Sequence, residues 1–253
     1  MSDFRPRSNS EILDAAFEIY RRNFAVFVAI NIFAAIPWAI SSYIGQDAIL
    51  QQQTGGLFTS ALVRLLGAFI SPFTEGAMAC AASAAYLGGA VDFETSVRTA
   101  LRRPGRLFVA MFTKWILVVF GLFLLIVPGL VVFKRYFAVP MTVLFEDNKV
   151  GDAVTRSREL ATGNGARIFG LIGGVFVFAM FVTIFLTQTI TSLSQSAAVT
   201  AVATLILTTV ISPFSTIVAT LLYYDIRIRR EGYDIELMTQ ALNVASPLLN
   251  PTS

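Results

Sequence analysis

The chain has 253 residues, of which 55% are hydrophobic and 14% are charged, with 19 Lys and Arg against 16 Asp and Glu. A soluble domain carries about 25% charged residues, so this composition favours a protein that is solvated by lipid. The chain contains no histidine, which excludes imidazole-activated nucleophiles and histidine-ligated metal sites. It contains one cysteine, Cys80, which excludes an intramolecular disulfide.

Three short stretches have the apolar periodicity of a surface helix. In the first, Ser10–Arg22, the apolar side chains fall on one helical stripe, and Ser10 is the expected N-cap. The second is Asp92–Arg103, which the Pro104-Gly105 pair is expected to end. The third is Val150–Thr162, followed by a Gly-Asn-Gly sequence that suits a helix C-cap. Helices of this kind lie along a membrane interface.

Six apolar stretches alternate with these helices and are candidate membrane spans. About 20 helical residues cover the hydrocarbon core of a bilayer. We expect Pro72, Pro128 and Pro213 to mark helix breaks. At Pro72 and Pro213 the break is either a packing kink, which is favoured, or an unwound segment, and Pro128-Gly129 is expected to form a tight reversal. The predicted spans are Phe24–Ile44, Leu57–Leu87, Leu107–Val127, Leu130–Phe145, Ala166–Ile190 and Ala198–Tyr224.

Each surface helix precedes two of these spans, which defines a repeating plan. The sequence therefore predicts an all-α, polytopic membrane helix bundle with six transmembrane helices. These form three parallel units, each an amphipathic helix followed by a helical hairpin, within a single integral membrane domain. The predicted units cover approximately residues 8–90, 91–147 and 148–228, and residues 229–253 form a cytoplasmic tail.

The first and third units also resemble each other in sequence. A shift of 141 residues aligns Ile70–Phe73 with Ile211–Phe214, both of which read Ile-Ser-Pro-Phe. The same shift aligns Asn23 with Asn164. Because each unit contains two spans, the repeats are expected to run parallel and not inverted.

The cations mark one side of the predicted bundle. The three loops on the opposite side, the longest of which is Gly45–Gly56, contain no Lys or Arg. The positive-inside rule then places the N and C termini in the cytoplasm. The predicted location is a cytoplasmic (inner) membrane, which the chain crosses several times.

Three stretches resemble a known bacterial family. They read LIVPGLVVFKRYFAVPMTVLFE (residues 125–146), GDAVTRSRELATGN (residues 151–164) and YYDIRIRREGYDIEL (residues 223–237). They are similar to the glycerophosphoryl diester phosphodiesterase membrane domain, and the similarity covers most of Ser10–Leu237. Its most specific parts are Arg-Ser-x-x-Leu-x-x-Gly-Asn and Tyr-Asp-x-Arg-x-Arg-x-Glu-Gly, which we call the two motifs.

That family is named after members in which the membrane part precedes a soluble phosphodiesterase barrel. No barrel sequence follows here, and the histidines that the barrel uses are absent. The resemblance therefore implies a stand-alone membrane module of the bacterial inner membrane. It does not carry the phosphodiesterase activity across.

Three charged residues in the apolar stretches are the candidate site. Glu75 and Lys114 are expected to pair in the half of the bundle nearer the cytoplasm. Arg135 is expected near mid-depth without an acidic partner. These charges either pair and extend toward the interface, or Arg135 holds an anionic lipid headgroup or substrate. In addition, Gly170 and Gly174 form a GxxxG pair, which favours packing within the chain, with dimerisation as the alternative.

The sequence contains no set of residues that we assign to catalysis, to a cofactor or to a metal ion. It predicts a non-enzymatic membrane module that binds lipid or a partner protein through its cytoplasmic interfacial helices. Nucleic acid is not an expected partner, and a homo-oligomer is compatible with the pattern. The alternative is a small transporter or channel for an anionic substrate, which would require a continuous polar path.

Overall fold

The structure is a computed structural model that describes residues 5–124 and 126–233. It includes every side chain in these ranges except those of residues 118–128 and 130. This part of the chain is all-helical, without a β-strand. The helices are α1 (Asn9–Arg22), α2 (Phe24–Leu50), α3 (Thr54–Tyr86), α4 (Phe93–Ala100), α5 (Pro104–Leu124), α6 (Ile126–Tyr136), α7 (Val139–Phe145), α8 (Val150–Ala161), α9 (Gly165–Ile168), a π-helical segment (Phe169–Gly173), α10 (Gly174–Ser194) and α11 (Ala197–Glu231).

Four helical stretches in the described residues are long and apolar enough to cross a membrane. They are α2, α3, the continuous stretch from α9 to α10, and α11. The longest, α11, has 35 residues, and its rise of about 52 Å exceeds one hydrocarbon core of about 30 Å. The predicted all-helical fold is therefore confirmed for the described residues, and four of their helical stretches are suited to crossing a membrane. Most of the predicted tail, from residue 234 onward, lies outside the described residues.

The first helix begins two residues earlier than predicted. Its N-cap is Ser8 and not Ser10, since the Ser8 hydroxyl accepts a hydrogen bond from the Glu11 backbone N–H at 3.2 Å. The Glu11 carboxylate in turn accepts the Ser8 backbone N–H at 2.6 Å. This reciprocal pair is a capping box. The hydrogen bond from the Ser8 backbone and the neighbouring Arg5 lower the pKa of Glu11 to about 2.

The connection between α2 and α3 is much shorter than the predicted Gly45–Gly56 loop. Helix α2 continues to Leu50 and α3 begins at Thr54, so three residues form the turn. The glycine at position 45 lies against α3, because a Cβ atom there would be 3.5 Å from the Ser60 hydroxyl oxygen. Close packing of the two helices thus extends α2 beyond a residue that ordinarily weakens helices.

None of the three prolines interrupts the helix that contains it, so the structure has no unwound segment at Pro72 or Pro213. Pro72 lies inside α3 and Pro213 inside α11, and both side chains are buried. An interior proline removes one backbone hydrogen bond, and packing against neighbouring helices preserves the remaining turns. Pro128 lies in the first turn of α6, where N–H groups have no partner within the helix. The predicted reversal at Pro128-Gly129 is therefore wrong.

The middle of the chain departs furthest from the prediction. Helix α4 ends at Ala100, and Pro104 does not end it but opens α5, where its fixed φ suits the first helical position. The predicted fourth span, Leu130–Phe145, is divided into two helices, because α6 ends at Tyr136 and α7 begins at Val139. The residues at this break are buried.

The helix boundaries agree with an internal repeat at an offset of 141 residues. Helix α1 begins at Asn9 and α8 at Val150, and α2 begins at Phe24 and α9 at Gly165. These boundaries are consistent with the 141-residue shift seen in the sequence, and the division into three units stays a prediction.

Three hydrogen bonds are consistent with the 141-residue shift. Asn23 and Asn164 are equivalent, and each side-chain amide donates to the carbonyl four residues earlier, at 3.0 and 3.2 Å. The hydroxyl oxygens of Ser83 and Tyr224, which are 141 residues apart, lie 2.6 Å from each other. The helices α3 and α11 thus run in the same direction and meet at equivalent positions.

One end of the bundle, which we call the charged end, is densely packed. It is the end at which α3 and α11 finish, and it carries Glu146 and Asp225. Residues 76–83 of α3 and 220–226 of α11 are continuously buried there. Side chains of α1, α7 and α8 cover these segments, so the charged end has a protein core.

The opposite end, which we call the turn end, contains the short turns Gln51–Gln53 and Gln195-Ser196. Large apolar side chains point away from the protein along the helices that lead to these turns. A continuous exposed apolar belt of this kind is typical of a surface that contacts lipid. Its members include Leu57, Phe58, Leu65, Leu66, Phe178, Phe181, Ile184, Leu193, Val202 and Ile206.

Candidate functional site

Asp225 is the centre of one ion-pair network at the charged end. Its carboxylate is 2% exposed and accepts a hydrogen bond from the Arg7 backbone N–H at 2.7 Å. Arg229 Nε donates to the other carboxylate oxygen at 2.8 Å, and a terminal nitrogen of Arg167 lies 2.9 Å from the same oxygen. Both guanidinium groups also donate to the Arg7 carbonyl. The network therefore ties the N-terminal segment to α9 and α11.

Glu146 is the centre of the second network. One carboxylate oxygen accepts Arg156 Nε at 2.8 Å, and the other accepts the Tyr223 hydroxyl at 2.7 Å. Arg156 also lies 2.6 Å from Glu231, and Arg227 Nε donates to the second oxygen of Glu231 at 3.1 Å. This network joins the end of α7 to α8 and α11.

The charge state of Glu146 follows from these contacts. Burial by itself raises the pKa of Glu146, but hydrogen bonds from Arg156 and Tyr223 and the charge of Arg227 outweigh it and hold this pKa below its ordinary value. The carboxylate is therefore ionised at neutral pH and accepts hydrogen bonds without a proton to donate. Its chemistry is that of a structural ion pair.

Ser157, from the first motif, stabilises the break between α6 and α7. Its hydroxyl donates to the Arg135 carbonyl at 2.9 Å and accepts the Ala138 backbone N–H at 3.2 Å. Ser157 is fully buried, and backbone groups at a buried helix end need such partners. One side chain thus allows the chain to change direction inside the protein.

The glycines of the two motifs end helices. Gly163 follows α8 with φ +81°, and Gly232 follows α11 with φ +62°. These left-handed conformations favour glycine. The Gly232 backbone N–H donates to the Ile228 carbonyl at 3.2 Å. The most specific residues of the resemblance therefore build the charged end.

The structure brings the predicted pair of Glu75 and Lys114 together. Lys114 Nζ lies 3.9 Å from a Glu75 carboxylate oxygen, which is an ion-pair distance but too long for a hydrogen bond. The helices α3 and α5 are close here, because a Cβ atom on Gly76 would lie 2.6 Å from Leu107 Cδ2. The role of the pair stays a prediction.

Arg135 lies beside α8. Its carbonyl accepts the Ser157 hydroxyl, and its side chain is exposed. Helix α6 ends one residue after Arg135, and the depth of Arg135 in a membrane stays a prediction. The structure therefore groups Glu75 with Lys114 and places Arg135 next to the helix that carries Arg156 and Ser157.

An apolar groove of about 640 Å³ opens between α1, α10 and α11. Its walls are almost wholly apolar, and Asp14 contributes a carboxylate at the α1 side. Tyr20 fixes α1 to α11, since its hydroxyl donates to the Val210 carbonyl at 2.6 Å. Burial raises the pKa of Tyr20 to about 12. The lining residues are Leu13, Asp14, Phe17, Tyr20, Gly170, Leu171, Gly174, Val175, Phe178, Ala179, Val182, Val210, Ile211 and Phe214.

Gly170 and Gly174 leave space in this groove. A Cβ atom built on either residue would meet no atom within 4 Å. The expected packing of this pair against another helix of the same chain is therefore wrong. Gly170 also lies in the π-helical segment, a feature that redirects the side chains after it.

Neither the groove nor the two networks centred on Asp225 and Glu146 was predicted from the sequence. The groove is formed by helices that are far apart in the sequence, so no local pattern describes it. The networks do have a signal, because Arg156, Asp225 and Arg227 belong to the two motifs. Pairing the opposite charges expected at one membrane face would have suggested contacts among them.

Comparison of the chain with protein-family models, with curated proteins and with solved structures found no match. The resemblance to the glycerophosphoryl diester phosphodiesterase membrane domain therefore stays a prediction. The function has to follow from the geometry of the described residues.

Proposed function

We propose that the chain is a non-enzymatic integral membrane module that binds a phospholipid through the groove between α1, α10 and α11. The single observation that carries this proposal is the groove itself, which is apolar and continuous with the exposed apolar belt around Phe178. A cavity with apolar walls offers water few hydrogen-bond partners and suits a hydrocarbon chain. The surface helix α1 forms one wall.

The proposal includes six transmembrane helices in three parallel units. Helix α5 has 21 residues, enough for one crossing, and α6 with α7 would return the chain to the charged end, where α8 begins. In this arrangement the charged end and both termini face the cytoplasm of a bacterial inner membrane. The distribution of cations supports this orientation, because the turns Gln51–Gln53 and Gln195-Ser196 carry no Lys or Arg.

The partners of the buried carboxylates favour a binding module over an enzyme. Asp225 and Glu146 are each held by two arginine side chains and by further hydrogen bonds. A general acid or base needs a pKa near the working pH and access to a substrate. These carboxylates instead stabilise the contact between helices.

The groove also distinguishes lipid binding from the alternative of an anion transporter or channel. Transport of an anion requires polar or cationic side chains along a path. The groove is apolar, and Arg135 is not part of its lining. A helix of a partner protein, including a second copy of this chain, is the competing occupant.

Filling the groove tests the proposal. Leucine at position 170 or 174 (Gly170→Leu, Gly174→Leu) adds a side chain where a Cβ atom meets no neighbour within 4 Å, so the helices are expected to form. Native mass spectrometry of gently extracted protein then counts the phospholipid molecules that remain bound. We expect the wild-type protein to retain a phospholipid that both variants lose.

Gly151→Leu is the matched control. Gly151 lies exposed on α8, and a Cβ atom there also meets no neighbour within 4 Å. This variant is expected to retain lipid as the wild type does. Equal lipid retention in all four proteins would refute the proposal, and loss of a dimer in place of lipid would identify a second copy as the occupant.

A further inference from the structure

Arg64 places a cation on the lipid-facing surface of the turn end. It is exposed on α3, one of the four stretches able to cross a membrane. Its neighbours Leu62, Leu65 and Leu66 are exposed apolar side chains of the same surface. A guanidinium among hydrocarbon chains is costly unless it meets water or an anion. Arg64 therefore requires a counter-charge in its surroundings.

No carboxylate of the described residues forms an ion pair with Arg64. Within residues 24–74 the sequence contains one acidic residue, Asp47, and its carboxylate accepts the Gln51 side-chain amide at 2.9 Å. The contacts of Arg64 are with neutral groups. Its Nε lies 3.3 Å from the Ser41 hydroxyl, and its guanidinium carbon lies 5.5 Å from the Trp38 ring centroid.

These neutral contacts orient the guanidinium. Ser41 is fully buried and donates its own proton to the Ser60 carbonyl at 2.9 Å, so its oxygen is an acceptor for Arg64 Nε. The Trp38 ring rests on Gly67, where a Cβ atom would lie 3.5 Å from the indole nitrogen. Arg64 Nε contacts Ser41, and the Trp38 ring covers one face of the guanidinium group. The terminal N–H groups of Arg64 can therefore donate to a second acceptor.

We propose that Arg64, positioned by Trp38 and Ser41, binds a phosphate group in the leaflet at the turn end. A planar guanidinium pairs with two phosphate oxygens at once, and tryptophan is enriched at the level of lipid headgroups. Arg64 lies ten residues from Thr54, the start of α3, or about 15 Å along the helix, and a long cationic side chain at such a position can reach the headgroups. The phosphodiester of a phospholipid fits this lipid-facing position, and free phosphate is the other source of the same chemistry.

The fluorescence of Trp38 can report the binding of a ligand at Arg64. The chain contains two tryptophans, so Trp115→Phe leaves Trp38 as the only fluorescent indole. We would titrate this protein, delipidated in non-ionic detergent, with a brominated phospholipid and with a brominated diacylglycerol of the same acyl chains. The phosphate is expected to make the phospholipid quench Trp38 at a lower mole fraction than the diacylglycerol does.

The lower mole fraction at which the phospholipid quenches Trp38 is called the phospholipid advantage below. Substitutions at Arg64 test whether its cation causes this advantage. Arg64→Gln is expected to abolish it, whereas Arg98→Gln, which removes an exposed cation from α4, is expected to preserve it. If Arg64→Gln does not fold, Arg64→Lys keeps the charge without the planar fork and is expected to reduce the advantage. Equal quenching by the two lipids, or an advantage that no Arg64 substitution alters, would overturn the proposal.

Competition with inorganic phosphate distinguishes a phospholipid from free phosphate as the ligand of Arg64. An advantage that persists at high phosphate concentration indicates that the acyl chains take part and that the ligand is a phospholipid. An advantage that inorganic phosphate abolishes indicates an anion site that recognises phosphate alone. The groove between α1, α10 and α11 lies outside this test, so failure here and failure of the groove experiment are distinguishable.

Discussion

The charged end and the turn end of the bundle are stabilised in different ways. At the charged end, polar groups such as Asp225 and Ser157 are buried and satisfied by several hydrogen bonds each. At the turn end, side chains such as Leu65 and Leu193 are more than half exposed. The charged end therefore depends on specific contacts within the protein, whereas the turn end presents an apolar surface suited to lipid.

The two ends are therefore under different structural constraints. A buried charge tolerates few replacements, because removal of one partner leaves the other uncompensated. Replacement of a lipid-exposed apolar side chain by another apolar side chain changes the stability of the protein little. The two motifs lie at the charged end for this reason. We expect substitutions to be increasingly tolerated from the charged end toward the turn end.

The largest effect is expected for Asp225→Ala. The substitution leaves Arg167 and Arg229 without their shared carboxylate in a site that is 2% exposed. Loss of one partner of a buried ion pair costs about 3–5 kcal/mol. Reversible unfolding by SDS in mixed micelles measures the change in the free energy of unfolding. Glu18→Gln, which breaks the exposed pair with Arg22, is the control and is expected to cost about 0–1 kcal/mol.

A pair of leucine substitutions compares the two ends directly. Leu221→Ala, at a side chain that is 1% exposed at the charged end, is expected to lower the free energy of unfolding by about 2–5 kcal/mol. Leu65→Ala, at a side chain that is 57% exposed at the turn end, is expected to change it by about 0.5 kcal/mol or less. Equal losses in SDS unfolding would contradict the contrast between the ends.

Ser157→Ala is expected to have an intermediate effect. It leaves the Arg135 carbonyl and the Ala138 N–H without their partner at a buried helix break, at a cost of about 1–3 kcal/mol. Thr155→Ala, at an exposed position of the same helix, is the matched control. An unchanged midpoint of SDS unfolding for Ser157→Ala would show that the break does not depend on this hydroxyl.

The smallest effect concerns pH. Because the folded protein holds the pKa of Glu146 below its ordinary value, this carboxylate stabilises the fold at neutral pH. The stabilisation is fully present above the unfolded pKa of about 4.5 and is lost as pH falls through the lower folded pKa. Thermal unfolding between neutral pH and pH 3 should therefore show a loss that is smaller in Glu146→Gln. Identical pH profiles for both proteins would rule out this contribution.

The long elements could be predicted from the sequence, because their signals are local. Apolar length and the 3.6-residue period located α1, α2, α3, α8 and α11, and the 141-residue shift indicated the repeat. The contact between Glu75 and Lys114 could also be predicted, since depth in a span follows from counting residues inward from the interface. These inferences need no knowledge of neighbouring helices.

The errors share a physical cause, which is tertiary packing. Packing between helices keeps Pro72 and Pro213 inside continuous helices, and the buried hydroxyl of Ser157 stabilises a break where an uninterrupted span was expected. The groove arises only after α1 docks on α10 and α11, so Gly170 and Gly174 gave no local sign of it. Propensity is a weak guide wherever such contacts decide the outcome.

The most direct test of the account asks whether lipid lies between the two ends. In a Cys80→Ala background, single cysteines would be placed by Gln53→Cys at the turn end and by Arg98→Cys on α4, both at exposed positions. A membrane-impermeant maleimide added to intact cells is predicted to label only the Gln53→Cys protein, and Arg98→Cys is predicted to react only after the membrane is opened. Labelling of both positions from the same side would contradict the account.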